Sequence, residues 1–147
     1  MEETPSSEKY AKPVSFFFQE MDNLEIGKWL DQAEDDFAYG CDGVASHPRG
    51  AAWNFHQAAE KAIKAILISQ DKDFPRTHDL PRLLTILQLE PSASDTVAQA
   101  AFILSSFLPL TRYPGDWPEI NEARAKEAKE ASEIILNWAR KHLQQKL

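Results

Sequence analysis

Apolar residues recur at intervals of three and four along most of the chain, the spacing that places side chains on one face of an α-helix. The first such segment begins near Asp22, which forms a capping pair with Glu25, and ends at Gly40 or Gly43. Its apolar face consists of Ile26, Trp29 or Leu30, Ala33 and Phe37. We predict the first helix of the fold here.

The second periodic segment is the strongest helix prediction in the sequence. Ser46 and Pro48 are suited to its cap and first turn, and the pattern continues to about Ser69. Its main stripe consists of Ala52, Phe55, Ala59, Ala62 or Ile63, and Ile66, and it is widened by Ala58, Ala65 and Leu67. A stripe of that width contacts more than one neighbour, so we expect this helix at the centre of the fold.

Two shorter helices are predicted to follow. The first is capped by Asp79 and carries Leu80, Leu83, Leu84 and Leu87. The second is capped by Asp95 and ended by Pro109, because a proline cannot continue a helix. Its inward residues are predicted to be Val97, Ala100, Ala101, Leu104 and Leu108.

The last helix is predicted to be the longest. Asp116 and Pro118 start it, and it continues to about Leu143. Its inner face is predicted to comprise Ile120, Ala123, Ala131, Ile134, Ile135 and Trp138. Because no segment of useful length alternates as a strand does, the sequence predicts an all-α protein, an up-and-down bundle of four or five helices.

Composition divides the chain into two parts. The first residues mix charge, serine and proline with few apolar side chains, so we expect residues 1–20 to form a loose tail and residues 21–147 to form a single helical domain. The length fits one domain.

The longest purely aliphatic run, Ala65 to Ile68, is far too short to span a bilayer, and no secretory leader is evident. We expect a cytoplasmic protein that does not bind a membrane.

The charge balance restricts the ligands. Lys and Arg total 16 and Asp and Glu total 23, giving a formal net charge of -7. That sign opposes binding of nucleic acid by general phosphate attraction, so we expect no DNA partner, and any nucleotide site must be local. The single cysteine, Cys41, cannot form an intramolecular disulfide.

The sequence gives no indication of a metal site or a cofactor. The histidines lack the spacing with which one helix aims two imidazoles at an ion. They are His47, His56, His78 and His142. Glycine-rich phosphate loops and the nucleophile elbow of hydrolases are also missing, so we predict neither a bound cofactor nor a metal.

One face of the second helix carries a polar strip. His56, Glu60 and Lys64 follow each other at intervals of four, and Lys61 lies next to Glu60. A solvated helix face or an intra-helix salt bridge would explain the strip without function. Alternatively, the strip faces a ligand or a partner chain.

Two connecting segments carry further polar groups. His78 and Asp79 lie at the start of the short helix, where Asp79 acts as a cap and anions are favoured. Arg112, Tyr113 and Trp117 lie in a loop that two prolines stiffen, and they offer the donors and stacking surfaces that phosphates and bases use. As an alternative, Tyr113 and Trp117 plug the end of the bundle while Arg112 pairs with a core carboxylate.

Four segments in this order resemble the HEPN domain family. They are WLDQAEDDFAYG at residues 29–40, FHQAAEKAIKAIL at 55–67, THDL at 77–80 and TRYPG at 111–115. The resemblance covers about Glu25 to Leu143. It implies a small helical bundle that usually dimerises, is often encoded beside a minimal nucleotidyltransferase, and has a proposed role in binding nucleotide or RNA.

The resemblance also implies a candidate ligand site. Carried over position by position, it comprises Trp29, Asp35, His56, Glu60, Lys61, Lys64, His78, Asp79, Arg112 and Tyr113. Relatives that cut RNA are similar to one another in an arginine followed within a few residues by a histidine. Here Arg112 is followed by YPGDWP, and the next histidine is His142. We therefore assign no catalytic residue.

Three functions remain in competition. The leading hypothesis is a non-catalytic homodimer that binds a nucleotide, a nucleotidyltransferase partner, or both, in a setting related to toxin–antitoxin pairs. The second is a metal-independent ribonuclease in which His56 or His78 replaces the missing imidazole. The third is a structural interaction module whose polar motifs only stabilise the bundle.

Overall fold

The computed structural model describes the backbone of residues 14–87 and 91–144, and the side chains of residues 23–87 and 95–144. Within these ranges every regular element is a helix. The helices are α1 (Val14–Gly43), α2 (Pro48–Ser69), α3 (Leu80–Ile86), α4 (Pro91–Ser106), α5 (Leu108–Arg112) and α6 (Glu122–Gln144). The predicted all-α bundle is confirmed, with five helices of seven residues or more and the single turn α5.

Helix α2 is the central element, as its wide apolar stripe predicts. It contacts each of the other five helices. Half of its buried residues are alanines, whose small side chains let the neighbouring helices approach closely. The buried set is Ala51, Ala52, Phe55, His56, Ala58, Ala59, Glu60, Ala62, Ile63, Ala65, Ile66 and Leu67. Two polar side chains, His56 and Glu60, are therefore buried among apolar neighbours.

The packing of α1 on α2 depends on a glycine. A Cβ atom on Gly40 would lie 2.6 Å from Cε1 of Phe55, closer than two carbon atoms can approach. The ring of Phe37 packs against Phe55, with 5.3 Å between the ring centroids. At the edge of the same interface, Lys61 Nζ lies 2.6 Å from Asp36 Oδ2. Steric fit thus fixes the register of these two helices, and an ion pair supports it.

Helix α1 begins earlier than we predict from Asp22. It starts at Val14, so residues 14–20 of the predicted tail are helical, whereas residues 1–13 lie outside the described part of the chain. No glycine or proline occurs between Val14 and Asp22, and nothing in that segment interrupts a helix. Since α1 has 30 residues and α6 has 23, the prediction that the last helix is the longest is wrong.

The N-terminal caps of the helices agree with the prediction for α3 and differ from it for α2 and α4. Asp79 caps α3, where its Oδ1 accepts a hydrogen bond of 3.2 Å from the backbone N–H of Arg82. Helix α2 has the predicted Pro48 in its first turn, but its cap residue is His47 rather than Ser46. Helix α4 begins at Pro91, so Asp95 lies inside the helix and does not cap it. A proline fits the first turn because it needs no hydrogen-bond acceptor there.

The start and the face of α6 also differ from the prediction. The helix starts at Glu122 and is capped by Asn121, whose Oδ1 accepts a 2.9 Å hydrogen bond from the backbone N–H of Arg124, so neither Asp116 nor Pro118 lies in it. Ala123 and Ile134 are exposed. The buried face consists of Ala125, Ala128, Ala131, Ser132, Ile135, Leu136, Ala139 and Leu143. Ser132 donates a 2.8 Å hydrogen bond to the carbonyl of Phe55, which fixes this face against α2.

None of the helices in the described ranges combines the length and apolar character that crossing a membrane requires.

Candidate functional site

A buried carboxylate organises the polar strip of α2. Glu60 is 4% exposed, and each of its oxygens has a partner. Lys64 Nζ donates to Oε2 at 2.8 Å, and Nδ1 of His78 lies 2.8 Å from Oε1. Because a carboxylate only accepts, Nδ1 of His78 is the donor. The predicted intra-helix salt bridge is present between Lys64 and Glu60. The strip is not a solvated face, because His56 and Glu60 are buried. Through His78, Glu60 also holds the segment before α3.

His56 is the second buried polar group. Its side chain is 1% exposed, and Nδ1 lies 3.8 Å from Glu60 Oε1, beyond hydrogen-bond distance. Neither ring nitrogen forms a hydrogen bond of good geometry with a described residue, although the backbone of His78 is near enough to favour the protonated ring. Burial lowers the pKa of His56 from 6.5 to about 4, outweighing the opposite effect of the nearby Glu60 carboxylate. His56 is therefore neutral at neutral pH.

Trp53 joins this buried cluster to the surface loop. Its ring is parallel to that of His56, with 5.9 Å between centroids, and the ring of His78 meets it edge-on at 6.0 Å. Arg112 covers it, with Cζ 5.6 Å from the ring centroid. We did not select Trp53 from the sequence, although its position three residues before His56 places both on one helix face.

Residues 112–119, which we call the Arg112 loop, are exposed to solvent. Arg112 also lies over Tyr113, with Cζ 5.4 Å from that ring centroid, and it forms no ion pair with a carboxylate in the described residues. Tyr113 is 57% and Trp117 46% exposed, so these rings do not plug the bundle. Trp117 Nε1 instead donates a 2.9 Å hydrogen bond to the carbonyl of Tyr113. The loop therefore presents a guanidinium and two aromatic rings at the surface.

A cleft of about 940 Å³ lies beside this loop. Its walls are residues 47–50, at the start of α2, and residues of the segment 110–121, including Arg112 and Tyr113. Arg49 also lines the cleft, and its Nη1 donates a 3.2 Å hydrogen bond to the carbonyl of Thr111. We did not select Arg49 from the sequence, because only the fold brings the start of α2 beside the loop.

The other residues of the predicted site lie elsewhere. Lys61 is paired with Asp36 between α1 and α2, and Asp35 is exposed on α1. Trp29 is half-buried against the core, with Lys64 Nζ 6.0 Å from its ring centroid. Asp79 caps α3. The fold thus brings His56, Lys64 and His78 together around Glu60, with Trp29 beside Lys64. It places Arg112 and Tyr113 at the cleft, and Asp35 and Lys61 belong to neither group.

The described side chains include no group of three or more histidine, cysteine, aspartate or glutamate residues placed to hold a metal ion. The chemical groups present are a buried carboxylate with cationic and imidazole partners, and exposed guanidinium and aromatic groups at a cleft. The protein is therefore a small helical domain that carries a buried polar cluster and an exposed cleft.

The family model of the HEPN domain matches residues 26–142, nearly the whole described domain. The chain belongs to the HEPN family. Among curated proteins, none matches the chain significantly.

Two solved structures share the fold. The crystal structure of TT1696 from Thermus thermophilus is 23% identical, with a TM-score of 0.71 over 79% of this chain and 96% of that one. The crystal structure of ST0689, described as an archaeal HEPN homologue, is 26% identical, with a TM-score of 0.64 over 80% of this chain and 96% of that one. The first similarity supports the fold alone, and the second agrees with the family assignment.

The buried neutral His56 gives the protein a specific sensitivity to acid. Below pH 6.5 the unfolded chain takes up a proton at His56, whereas the folded chain does so only near pH 4. The free energy of unfolding should therefore fall by about 3 kcal/mol from this residue as the pH drops from 6.5 to 4. Urea unfolding of the wild type and of His56→Phe, which retains a planar ring against Trp53, measures it. Equal losses of stability in both proteins over this range would contradict the assignment.

Proposed function

We propose that the chain is a non-catalytic HEPN module that binds the phosphate of a nucleotide with Arg112. One observation carries this proposal. The guanidinium of Arg112 is held over the rings of Trp53 and Tyr113, is exposed at the rim of the 940 Å³ cleft, and has no carboxylate partner among the described side chains. An arginine that is oriented by aromatic rings keeps its fork of N–H donors free for an anion.

The charge distribution supports a compact site rather than an extended one. With a net charge of -7, the chain repels a long polyanion on most of its surface. Lys61 and Lys64, which we expected to contribute to a phosphate pocket, are neutralised by Asp36 and Glu60. The arginines at the cleft are the cations that remain for a ligand there.

Calorimetry with AMP, GMP, CMP and UMP tests the role of Arg112. At least one nucleotide should bind the wild type, and Arg112→Ala should weaken that binding by tenfold or more, since a charged hydrogen-bonding partner of phosphate is lost. Arg82→Ala is the matched control, because Arg82 is exposed on α3 and does not line the cleft. Binding that Arg112→Ala retains in full, or that both variants lose equally, would remove Arg112 from the site.

A metal-independent ribonuclease is the second candidate, and one pair of residues favours it. Nδ1 of His78 donates a hydrogen bond to the buried Glu60, so Nε2 is the ring nitrogen that remains for a substrate, on a side chain that is 41% exposed. A carboxylate that orients an imidazole in this way is typical of acid–base catalysis. His56 is unsuited to that role, because it is buried.

The two candidates differ in what happens to RNA. Our proposal expects structured RNA to stay intact for hours with micromolar protein and a chelator, because no histidine follows Arg112 within a few residues, as one does in the relatives that cut RNA. Gel electrophoresis measures this. Cleavage that His78→Ala abolishes and Arg82→Ala preserves would establish the ribonuclease in place of the non-catalytic module.

HEPN domains often dimerise. We propose that this chain does so as well, and that a nucleotidyltransferase is its protein partner, as its family membership suggests. Three exposed apolar residues on α4 and α6 support an assembly of two copies. They are Phe102 (70% exposed), Ile103 (41%) and Ile134 (39%). Such a cluster is typical of a surface that another chain covers.

Sedimentation equilibrium at micromolar concentration tests the dimer. The wild type should sediment as a dimer, and Phe102→Ser should shift it toward monomer by removing apolar area from the interface. Tyr39→Ser is the control, since Tyr39 is 68% exposed on α1, away from this cluster. A wild type that sediments as a monomer would contradict the proposed dimer.

A further inference from the structure

Two arginines line the same cleft, and a hydrogen bond joins one of them to the main chain beside the other. Arg49 lies in the first turn of α2, and Arg112 lies at the end of α5. Nη1 of Arg49 donates to the carbonyl of Thr111, the residue next to Arg112 in the chain. This single hydrogen bond orients the Arg49 guanidinium and leaves its other N–H groups without a partner among the described residues.

Neither Arg49 nor Arg112 forms an ion pair with a carboxylate of the described residues. The ion pairs of the described residues include Arg124 with Glu127 and Arg140 with Glu34, but none includes Arg49 or Arg112. Two guanidinium groups that lie close together repel each other. An acidic protein that keeps such a pair unpaired at one cleft has a local positive charge that an anion would neutralise.

We propose that the ligand of this cleft carries two linked phosphate groups, one bound by Arg112 and the other by Arg49, as in a nucleoside diphosphate. This inference rests on the proposed function, since it takes Arg112 as the first phosphate contact. It adds the class of ligand and a second binding residue, Arg49, that the family resemblance did not indicate.

The rest of the cleft suits such a ligand. Its volume of about 940 Å³ lies within the range of small-molecule sites, roughly 300 to 1,000 Å³. The exposed rings of Tyr113 and Trp117 offer stacking surfaces for a base, and the hydrogen bond from Trp117 Nε1 to the main-chain carbonyl of Tyr113 orients the Trp117 ring. Glu119 also lines the cleft, and its negative charge opposes an anionic ligand, so a ligand with two phosphate groups gains from a second arginine.

Calorimetry with AMP and ADP, and with phosphate and pyrophosphate, tests the inference. In the wild type, ADP should bind about tenfold more tightly than AMP, and pyrophosphate more tightly than phosphate, because one further charged contact forms. Arg49→Ala should reduce the affinity for ADP to that for AMP while changing the affinity for AMP less than twofold. Arg49→Lys should retain part of the preference, since it keeps the charge but not the fork.

Different failures have different meanings. Equal affinities for AMP and ADP in the wild type would overturn the two-phosphate inference and leave the proposed nucleotide site standing. A loss of AMP binding in Arg49→Ala as large as the loss of ADP binding would also overturn it, because Arg49 would then act only by holding the Arg112 loop. Binding of none of the four ligands, nor of any nucleotide in the first panel, would remove both proposals.

Discussion

The polar part of this structure depends on the burial of one negative charge. Glu60 lies in the middle of the central helix and is 4% exposed, and an ionised carboxylate removed from water requires partners that offset the loss of hydration. Lys64 on the same helix and His78 from the segment before α3 supply them. Burying Glu60 therefore ties a loop to the helix core, where apolar packing alone would specify no such attachment.

That attachment extends to the surface through Trp53. His78 meets the edge of the Trp53 ring, and Arg112 lies over the same ring. The order of contacts is a buried acid, an imidazole, an aromatic ring and an exposed guanidinium. Each member limits the positions of the next, so the exposed arginine is restrained by a chain that begins in the core. A preorganised guanidinium loses less conformational entropy when it binds an anion than a freely moving one does.

The sequence predicts the helices better than it predicts their ends. Periodicity identifies α2 as central, because a wide stripe of alanines and larger apolar residues needs several neighbours. It also identifies Asp79 as a cap, since Asp79 directly precedes its short helix. It fails at α1, where the helix continues past the predicted cap because nothing before Asp22 interrupts it, and at α4 and α6, where several residues could serve as the cap. On α6 it selects Ala131 and Ile135 correctly but includes the exposed Ala123 and Ile134, and it omits several small buried residues such as Ala125 and Ala128, because alanine is a weak apolar signal.

The candidate site shows the same division between local and distant information. His56, Glu60 and Lys64 share a helix face, so spacing alone brings them together, and the THDL motif adds His78 once the loop folds back. Spacing cannot reveal that Lys61 turns toward Asp36 on another helix. Arg49 is the strongest case of distant information, because it is separated from Thr111 by more than sixty residues, and only the packing of α5 on α2 brings the two together. A site assembled from the start of one helix and a distant loop leaves no local pattern in the sequence. Its charge can be recognised only when the folded chain shows that Arg49 and Arg112 form no ion pair with a carboxylate of the described residues.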